Sequence, residues 1–366
     1  MTDPLNGQTP PPAATAAPLA SPRRPFHPSR AQVGLCGLLL VVICGACLAV
    51  DCLANSPRVA AWMMRRELRE WKDKSLQYQH KIYFSDFEDR LLLEELPHTD
   101  FSQGGVYFFG ASNVKVSIMP WNLSDDLRRR VGNYGLSAST PAQQSQFLHY
   151  LVEYKGLAEA GEKNLIVFGL FYGTAVNPEK RLNADYLPEL FRRHGLFTYD
   201  PAEGIKPVPM SDLERTVRIE KARCAGFLAA LRHGRTRSSF KPTKHDPEGY
   251  RQFRTQYMGD NWRQEMAVQT AEFGRLLDYL HDHHLRVMVI YMPLATWNDP
   301  MPQPEEFRRQ TESLCRSRGV PIADFTRLLP DCDFYDSTHA NYNGQQKLHQ
   351  AMLEIVERHL RQVDGR

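Results

Sequence analysis

The sequence predicts an α/β fold in which a parallel sheet is covered by helices on both faces. Short apolar runs without polar alternation occupy 105–109, 165–171, 286–291 and 321–325. Runs of this kind are typical of strands that are buried on both faces, as in parallel sheets. Segments with helical periodicity separate them. This alternation of strand and helix patterns indicates a doubly wound, three-layer arrangement.

The helical segments and one interruption complete the predicted order. The predicted helices after the strands are Pro141–Ala160, Trp262–His284, Glu305–Arg318 and about Asn343–Arg361. From Asn177 to about Asp260 the rhythm stops, and polar loops surround one helical pattern, Met210–His233. We interpret residues 178–260 as an insertion at the carboxyl end of a strand, a position from which it can cover an active site.

Length and charge limit the classes of function. With 366 residues, of which 42% are hydrophobic, the chain can hold one large domain with attachments. The net charge is +3 and the sequence pI about 8.4, and the arginines are spread along the chain. This balance argues against a nucleic-acid partner.

Cysteine and histidine positions argue against a metal site. Four of the seven cysteines lie in one apolar segment, and the other three, Cys224, Cys315 and Cys332, are scattered. Three scattered cysteines fit neither a disulfide scaffold nor a zinc site. His281–His284 stands where a helix should end, and histidines are favoured there by the helix dipole. We therefore expect no metal and no cofactor.

The amino-terminal part of the sequence predicts a membrane anchor. Residues 1–31, rich in Pro, Ala, Thr and Ser, predict a disordered tail, and residues 32–54 predict one transmembrane helix of the ~20 apolar residues required. Arg23, Arg24 and Arg30 precede it, which favours a cytoplasmic amino terminus and a periplasmic or extracellular domain. A cleaved signal peptide is the alternative, although its apolar core is normally ~7–15 residues.

The segment after the anchor predicts a membrane-proximal helical stalk, residues 55–98. Asn55 and Pro57 suit a helix start, and apolar residues recur at near-helical intervals. Trp62 and Trp71 lie either at the lipid interface or against the globular domain, which we place at residues 99–366.

A serine and a distant acid–base pair are the candidate catalytic residues. Ser112 follows the apolar run 105–109 and the Gly110-Ala111 turn, which exposes it at the carboxyl end of a strand. Asp336 and His339 are three residues apart on a turn that enters a helix, a spacing that lets one carboxylate orient one imidazole. Together they could form a Ser-His-Asp set. Alternatively, Ser112 is a small turn residue and His339 a capping or core residue.

Three short motifs resemble the sequence blocks of SGNH (GDSL-type) hydrolases. Phe109–Asn113 resembles the first block, Asn133–Ser137 the second, and Asp336–Gly344 the last. The resemblance runs from about Gly105 to the end of the chain. It implies a flavodoxin-like, three-layer fold, a Ser112, Asp336 and His339 triad, and an oxyanion hole with backbone N–H donors at Ser112 and Gly135.

The chain departs from the pattern of that family in two blocks. Ala111 stands where the first block usually has Asp. In the third block, Gly-x-Asn-Asp, Gly173 fits, but Ala175 replaces the oxyanion asparagine and Asn177 comes two positions late. The side-chain oxyanion donor is therefore either Asn113 or Asn177, and Asn177, which precedes Pro178, is equally suited to forming a turn.

The whole arrangement is similar to DltD-type proteins and their alginate-acetylation relatives. One amino-terminal anchor, an outward SGNH-like domain and the run Tyr291–Trp297 before the last block carry this similarity. It implies transfer or removal of an acyl group, most simply acetyl, on an envelope or exported polysaccharide beside a polytopic membrane-bound O-acyltransferase. The alternative is a non-catalytic SGNH-shaped scaffold that binds glycan or the membrane partner.

Overall fold

A computed structural model describes most of the chain. The described residues are 29–54, 88, 91–118, 123–175, 186–200, 203–233, 246–334 and 336–365. The chain divides into two compact units, Met1–Ala46 and Cys47–Arg366. Most of the predicted tail, residues 55–87 of the predicted stalk, and Asn177 lie outside the described residues.

One long apolar helix, α1, spans Arg30–Ala54. Its stretch Arg30–Val50 is 21 residues long, and it is long and apolar enough to cross the hydrocarbon core of a membrane. Leu40 and Val41 are 62% and 68% exposed, so these side chains are not packed into a protein core. The predicted segment 32–54 therefore coincides with a helix of the required type.

A five-stranded parallel sheet forms the centre of the second unit. Its strands are β1 (Val106–Gly110), β2 (Val131–Gly135), β3 (Leu165–Leu170), β6 (Arg286–Tyr291) and β7 (Ile322–Asp324), and their spatial order is β2-β1-β3-β6-β7. The remaining strands, β4 (Phe197–Asp200) and β5 (Gly204–Pro207), form a separate antiparallel pair. Without this hairpin the order is the flavodoxin-like 2-1-3-4-5, whose switch point lies between β1 and β3. The predicted doubly wound α/β fold is confirmed.

The helices of the second unit connect and cover these strands. From Ser112 onward the α-helices are α2 (Ser112–Lys115), α3 (Asp125–Arg130), α4 (Pro141–Lys155), α5 (Tyr186–Arg192), α6 (Asp212–His233), α7 (Pro247–Met258), α8 (Trp262–Asp282), α9 (Pro302–Ser317) and α10 (Tyr342–Val363). The start of α4 shows why such segments are helical. Thr140 and Gln143 form a capping box, Pro141 occupies the first turn, and Gly156 ends the helix in the left-handed conformation.

Aromatic side chains join the helices to the sheet. The ring of Phe109 on β1 lies 6.1 Å from Phe147 on α4, and Phe168 on β3 meets Phe273 on α8 edge-on at 5.1 Å. Successive strand residues point to opposite faces, and Phe108, like Phe109, is at most 1% exposed, so both faces of β1 are covered. The helix α10 contacts β1 as well.

The structure differs from the sequence prediction in three places. The strand β2 was not predicted as a strand. The segment 186–258 contains the β4–β5 hairpin and three helices, α5, α6 and α7, where one helical pattern was predicted. Glu88, Leu91, Leu92 and Leu96 are at most 1% exposed, so the globular unit includes residues upstream of the predicted boundary at residue 99.

Candidate active site

The turn after β1 brings Ser112 to the edge of the sheet. A Cβ on Gly110 would lie 2.3 Å from Val114 Cγ2 and 2.6 Å from the Gly169 carbonyl oxygen, so only glycine fits there. Ser112 is the first residue of the short helix α2, whose first turn closes through the Lys115 N–H donating to the Ala111 carbonyl at 3.1 Å. The sharp turn therefore aims the serine out of the carboxyl end of β1, as predicted.

The three predicted catalytic side chains form a continuous hydrogen-bonded chain. Ser112 Oγ lies 2.7 Å from His339 Nε2, and His339 Nδ1 lies 2.7 Å from Asp336 Oδ2. The side chains of His339 and Asp336 are 19% and 14% exposed, so both are largely shielded while Ser112 remains partly accessible. In this arrangement Ser112 can donate to His339, and His339 can donate to Asp336. These are the directions required for a serine nucleophile, its base and the residue that orients the base.

The turn that carries Asp336 holds this carboxylate in one orientation. Its Oδ1 atom accepts hydrogen bonds from the backbone N–H groups of Thr338 and His339, both at 2.8 Å, which leaves Oδ2 for the imidazole. Burial alone would raise the pKa of the Asp336 carboxyl, but His339, Arg254 and the Thr338 N–H outweigh it and hold the pKa well below its usual range. Asp336 is therefore ionised across the neutral range and oriented toward His339.

A second set of hydrogen bonds holds the backbone of the same turn at Ser337. The Tyr172 hydroxyl donates to Asn298 Oδ1 at 2.7 Å, and Asn298 Nδ2 donates to the Ser337 carbonyl at 2.8 Å. The Ala295 N–H donates to that carbonyl too, at 3.2 Å. Burial raises the pKa of Tyr172 to about 12, so its hydroxyl remains a neutral donor. This layer ties the segments that follow β3 and β6 to the turn between Asp336 and His339.

Arg254, on α7, reaches the same turn from the predicted insertion. Its Nη2 atom donates to Thr338 Oγ1 at 2.8 Å, and its Nε atom to Ser337 Oγ at 3.3 Å. Sequence analysis missed this residue because more than 80 positions separate it from its partners and no motif surrounds it. The only signal in the sequence is the helical spacing of Tyr250, Arg254 and Tyr257.

A buried ion pair involves α2, the short helix that begins at Ser112. Lys115, three residues after Ser112, places its Nζ atom 2.7 Å from both carboxylate oxygens of Glu88. The two side chains are 10% and 0% exposed. The Ser137 hydroxyl donates to Glu88 at 2.7 Å, and the next residue, Ala138, has a positive φ of 55°. The pair therefore connects α2, the loop after β2 and the segment upstream of β1.

The Gly135 N–H, the second predicted oxyanion donor, is engaged within the fold. It donates to Asn133 Oδ1 at 3.0 Å, and Asn133 Nδ2 donates to the carbonyls of Val114, Lys115 and Ile118. A Cβ on Gly135 would lie 2.4 Å from the Lys115 nitrogen, so close packing against α2 explains the glycine. In this conformation the Gly135 N–H is engaged by Asn133, and its oxyanion role stays a prediction.

The two asparagines proposed as side-chain donors differ in what the structure shows. Asn113 is 3% exposed, and its Oδ1 accepts the Val114 N–H. Its Nδ2 is buried and has no hydrogen-bond partner among the described residues, an arrangement that is rare in folded proteins. Asn177 lies outside the described residues. Ala175, at the position of the family's asparagine, is fully buried and offers no side-chain donor.

The histidines at the end of α8 occupy the positions that end a helix. The helix stops at Asp282, His283 Nδ1 lies 2.8 Å from the Tyr279 carbonyl, and His284 adopts a left-handed φ of 56°. Among the described residues, no group of three or more His, Cys, Asp or Glu side chains is arranged to hold a metal ion. Capping therefore accounts for His283 and His284 in this fold.

Comparison with known proteins finds similarity to solved structures only. No family model matches the chain, and no curated protein matches it. A structure from Bacteroides fragilis NCTC 9343, provisionally named an acylhydrolase, aligns with 76% of this chain and 98% of its own at 12% identity and a TM-score of 0.36. A GDSL-like lipase from Bacteroides thetaiotaomicron VPI-5482 aligns with 74% of this chain and 98% of its own at 9% identity and a TM-score of 0.38.

Both TM-scores are below 0.5, and both sequence identities are low. The chemistry of the site therefore rests on the residues of this chain. Those residues form a doubly wound α/β sheet whose carboxyl edge carries a hydrogen-bonded serine, histidine and aspartate.

Proposed function

We propose that this protein is a serine acyl-transfer enzyme of the SGNH type. The observation that carries the proposal is the chain of two 2.7 Å contacts from Ser112 through His339 to Asp336. It lies at the carboxyl edge of β1, beside the switch point where ligands of such sheets bind. A serine hydroxyl is a poor nucleophile by itself, and an adjacent, oriented imidazole is the usual means of activating it.

The geometry supports a two-step reaction. His339 Nε2 takes the proton of Ser112 as Oγ attacks an acyl carbonyl, and the same proton then passes to the departing alcohol oxygen. The acyl group is now an ester on Ser112. In the second step His339 takes a proton from water or from an acceptor hydroxyl, which attacks that ester, and returns the proton to Ser112 Oγ. Asp336 stays ionised throughout and stabilises the imidazolium that forms in each step.

The location and substrate class rest on the amino-terminal helix and the family resemblance. We place the catalytic domain outside the cytoplasm because Arg23, Arg24 and Arg30 precede the apolar segment. There the substrate would be an acyl ester, most simply acetyl, of an envelope or exported polysaccharide, with a polytopic membrane-bound O-acyltransferase as the partner. Reporter fusions after residue 60 should be active only outside the cytoplasm; a cytoplasmic signal would overturn this placement.

A non-catalytic scaffold is the second candidate function, and one observation favours it. The Gly135 N–H is bonded to Asn133, and Ala175, which stands where the SGNH pattern has an oxyanion asparagine, has no side-chain donor. A protein of this kind would use the same edge of the sheet to bind glycan or a membrane partner without turning it over.

A fluorophosphonate probe separates the two candidates. The purified full-length protein in detergent should be labelled once, at Ser112, and should hydrolyse a simple acetyl ester. Ser112→Ala should abolish labelling, and His339→Ala should nearly do so, because each removes part of the activated nucleophile. Ser102→Ala, a change in an exposed loop, is the matched control and should label like the wild type. A folded wild-type protein that is inert to both reagents would favour the scaffold.

A further inference from the structure

Arg254 occupies a defined place at the end of the hydrogen-bonded chain that reaches Ser112. It extends from α7 to the Thr338 hydroxyl at 2.8 Å, and Thr338 Oγ1 lies 3.3 Å from Asp336 Oδ1. We infer that Arg254 is a positioning residue, which orients Asp336 through the Thr338 hydroxyl and so holds the His339 ring for the reaction. The inference rests on the proposed acyl-transfer function.

The direction of the hydrogen bonds supports this role. A guanidinium group can only donate, so Thr338 Oγ1 accepts from Arg254 and its single hydrogen is free to point elsewhere. The two atoms within its reach are Asp336 Oδ1 at 3.3 Å and His339 Nδ1 at 3.5 Å. Since His339 Nδ1 carries the hydrogen that it donates to Asp336, the Thr338 hydroxyl donates to Asp336. All donors then point toward the carboxylate, and His339 Nε2 remains an acceptor for Ser112.

Charge supports the same conclusion. Arg254 is one of the groups that hold the pKa of Asp336 low, after His339, and the arginine is half-buried, so solvent screens it only in part. Hydrogen bonds in which one partner is ionised are about twice as strong as neutral ones. A chain that begins at a guanidinium and ends at a carboxylate is therefore suited to holding the intervening hydroxyl in one orientation.

The helix α7 is itself anchored beside the catalytic turn. Tyr250, one turn before Arg254, stacks on Trp297 with 5.5 Å between ring centroids, and Trp297 is 8% exposed. Trp297 precedes Asn298, which bonds the Ser337 carbonyl. Asp246 caps the start of the helix by accepting the Gly249 N–H at 2.9 Å. Part of the predicted insertion therefore belongs to the support of the catalytic residues.

The test compares three variants of the full-length protein by the rate of fluorophosphonate labelling at Ser112 and by kcat and KM for an acetyl ester. Arg254→Gln should lower the labelling rate and kcat about ten-fold, the lower end of what a hydrogen bond to a charged group contributes, and leave KM unchanged. Thr338→Val should cause a loss of similar size. Arg251→Gln is the matched control, since Arg251 lies on the same helix but pairs with Glu248, and it should keep wild-type rates.

The double variant separates positioning from support of the fold. If Arg254 acts through Thr338, adding Arg254→Gln to Thr338→Val should cost little more, whereas a general packing role would multiply the two losses. Multiplied losses, or wild-type rates in either single variant, would overturn the inference. Thermal melting identifies a variant that fails to fold, and if Arg254→Gln fails, Thr338→Val alone decides. A wild type that does not label at Ser112 overturns the proposed function first, and the role of Arg254 with it.

Discussion

The two halves of the candidate site are built in different ways. The acid–base half, Ser112, His339 and Asp336, is closed by short contacts, and residues from three separate segments hold its turn in place. In the expected oxyanion half, Gly135 donates its N–H inside the fold, and Ala175 has no donor to offer. The comparison teaches that motif spacing can locate a chain of hydrogen-bonded side chains but does not determine where a backbone N–H points.

The largest effect should come from breaking the acid–base half at Asp336. Asp336→Asn keeps the shape of the side chain but removes the charge that fixes the tautomer of His339. By analogy with the same change in serine proteases, kcat should fall about 10⁴-fold. Steady-state hydrolysis of an acetyl ester measures it. Asp331→Asn is a control on the same loop, because the hydrogen bonds described for the Asp331 side chain go only to Thr296; a similar loss there would indicate loop damage.

A smaller but still large effect should follow from breaking the buried ion pair between Glu88 and Lys115. Glu88→Ala removes the carboxylate that faces the buried Lys115 ammonium, so the free energy of unfolding should fall by about 3 kcal/mol. Urea denaturation measures the change. The double variant Glu88→Leu with Lys115→Met should recover most of this stability, because it removes both charges. If stability does not recover, the two side chains stabilise the fold by more than compensating each other's charge.

Substituting the two candidate asparagines tests which of them donates to the oxyanion. Loss of one oxyanion donor typically costs ~3 kcal/mol in the barrier, which lowers kcat about 100-fold. We expect this loss from Asn113→Ala, whose buried Nδ2 has no partner among the described residues, or from Asn177→Ala. Separate kcat measurements on the two variants distinguish them. If both retain wild-type turnover, neither side chain is the donor. The oxyanion half then lacks the expected side-chain donor altogether, whereas the acid–base half has all three of its expected residues.

The smallest effect is confined to acid pH and concerns the stability that Asp336 contributes. Its carboxyl pKa is lowered in the folded protein, so the ionised form stabilises the fold above the unfolded value of about 3.9. This contribution is lost as the pH falls from about 4 toward the folded-state pKa. The wild type should therefore be more stable than Asp336→Asn at pH 7, and the gap should close below pH 4. A gap that is constant with pH would show that the charge of Asp336 contributes nothing to folding.

Several strands and helices could be predicted because their own residues determine them. Continuous apolar runs located β3, β6 and β7, and β6 has the predicted bounds, Arg286–Tyr291. β3 is buried along its whole length and β6 over its second half, whereas no residue of the edge strand β7 is fully buried. All three runs can be recognised from the residues of the segment itself. The turn Asp336–His339 could be predicted for a similar reason, since its key hydrogen bonds join residues at most three apart.

Other features depend on contacts that no local pattern reveals. β2 contains two glycines and an asparagine, which disfavour a strand, and it is stabilised when Asn133 binds three carbonyls of the segment 114–118. The hairpin β4–β5 has strands of only four residues. The pairings of Arg254 with Thr338 and of Lys115 with Glu88 join segments that are 84 and 27 residues apart. These contacts follow from the tertiary fold, so a single sequence does not predict them.

In the proposed mechanism, the separation of Ser112 from His339 in the sequence determines when, during synthesis, the serine can meet its base. These residues are 227 positions apart. Protein synthesis adds roughly 5–20 residues per second, so the segment between the two residues takes about 10–45 s to synthesise. During that time the unfinished chain holds an unactivated serine. In the proposed mechanism, a chain that stops before Asp336 and His339 therefore lacks the base that activates Ser112.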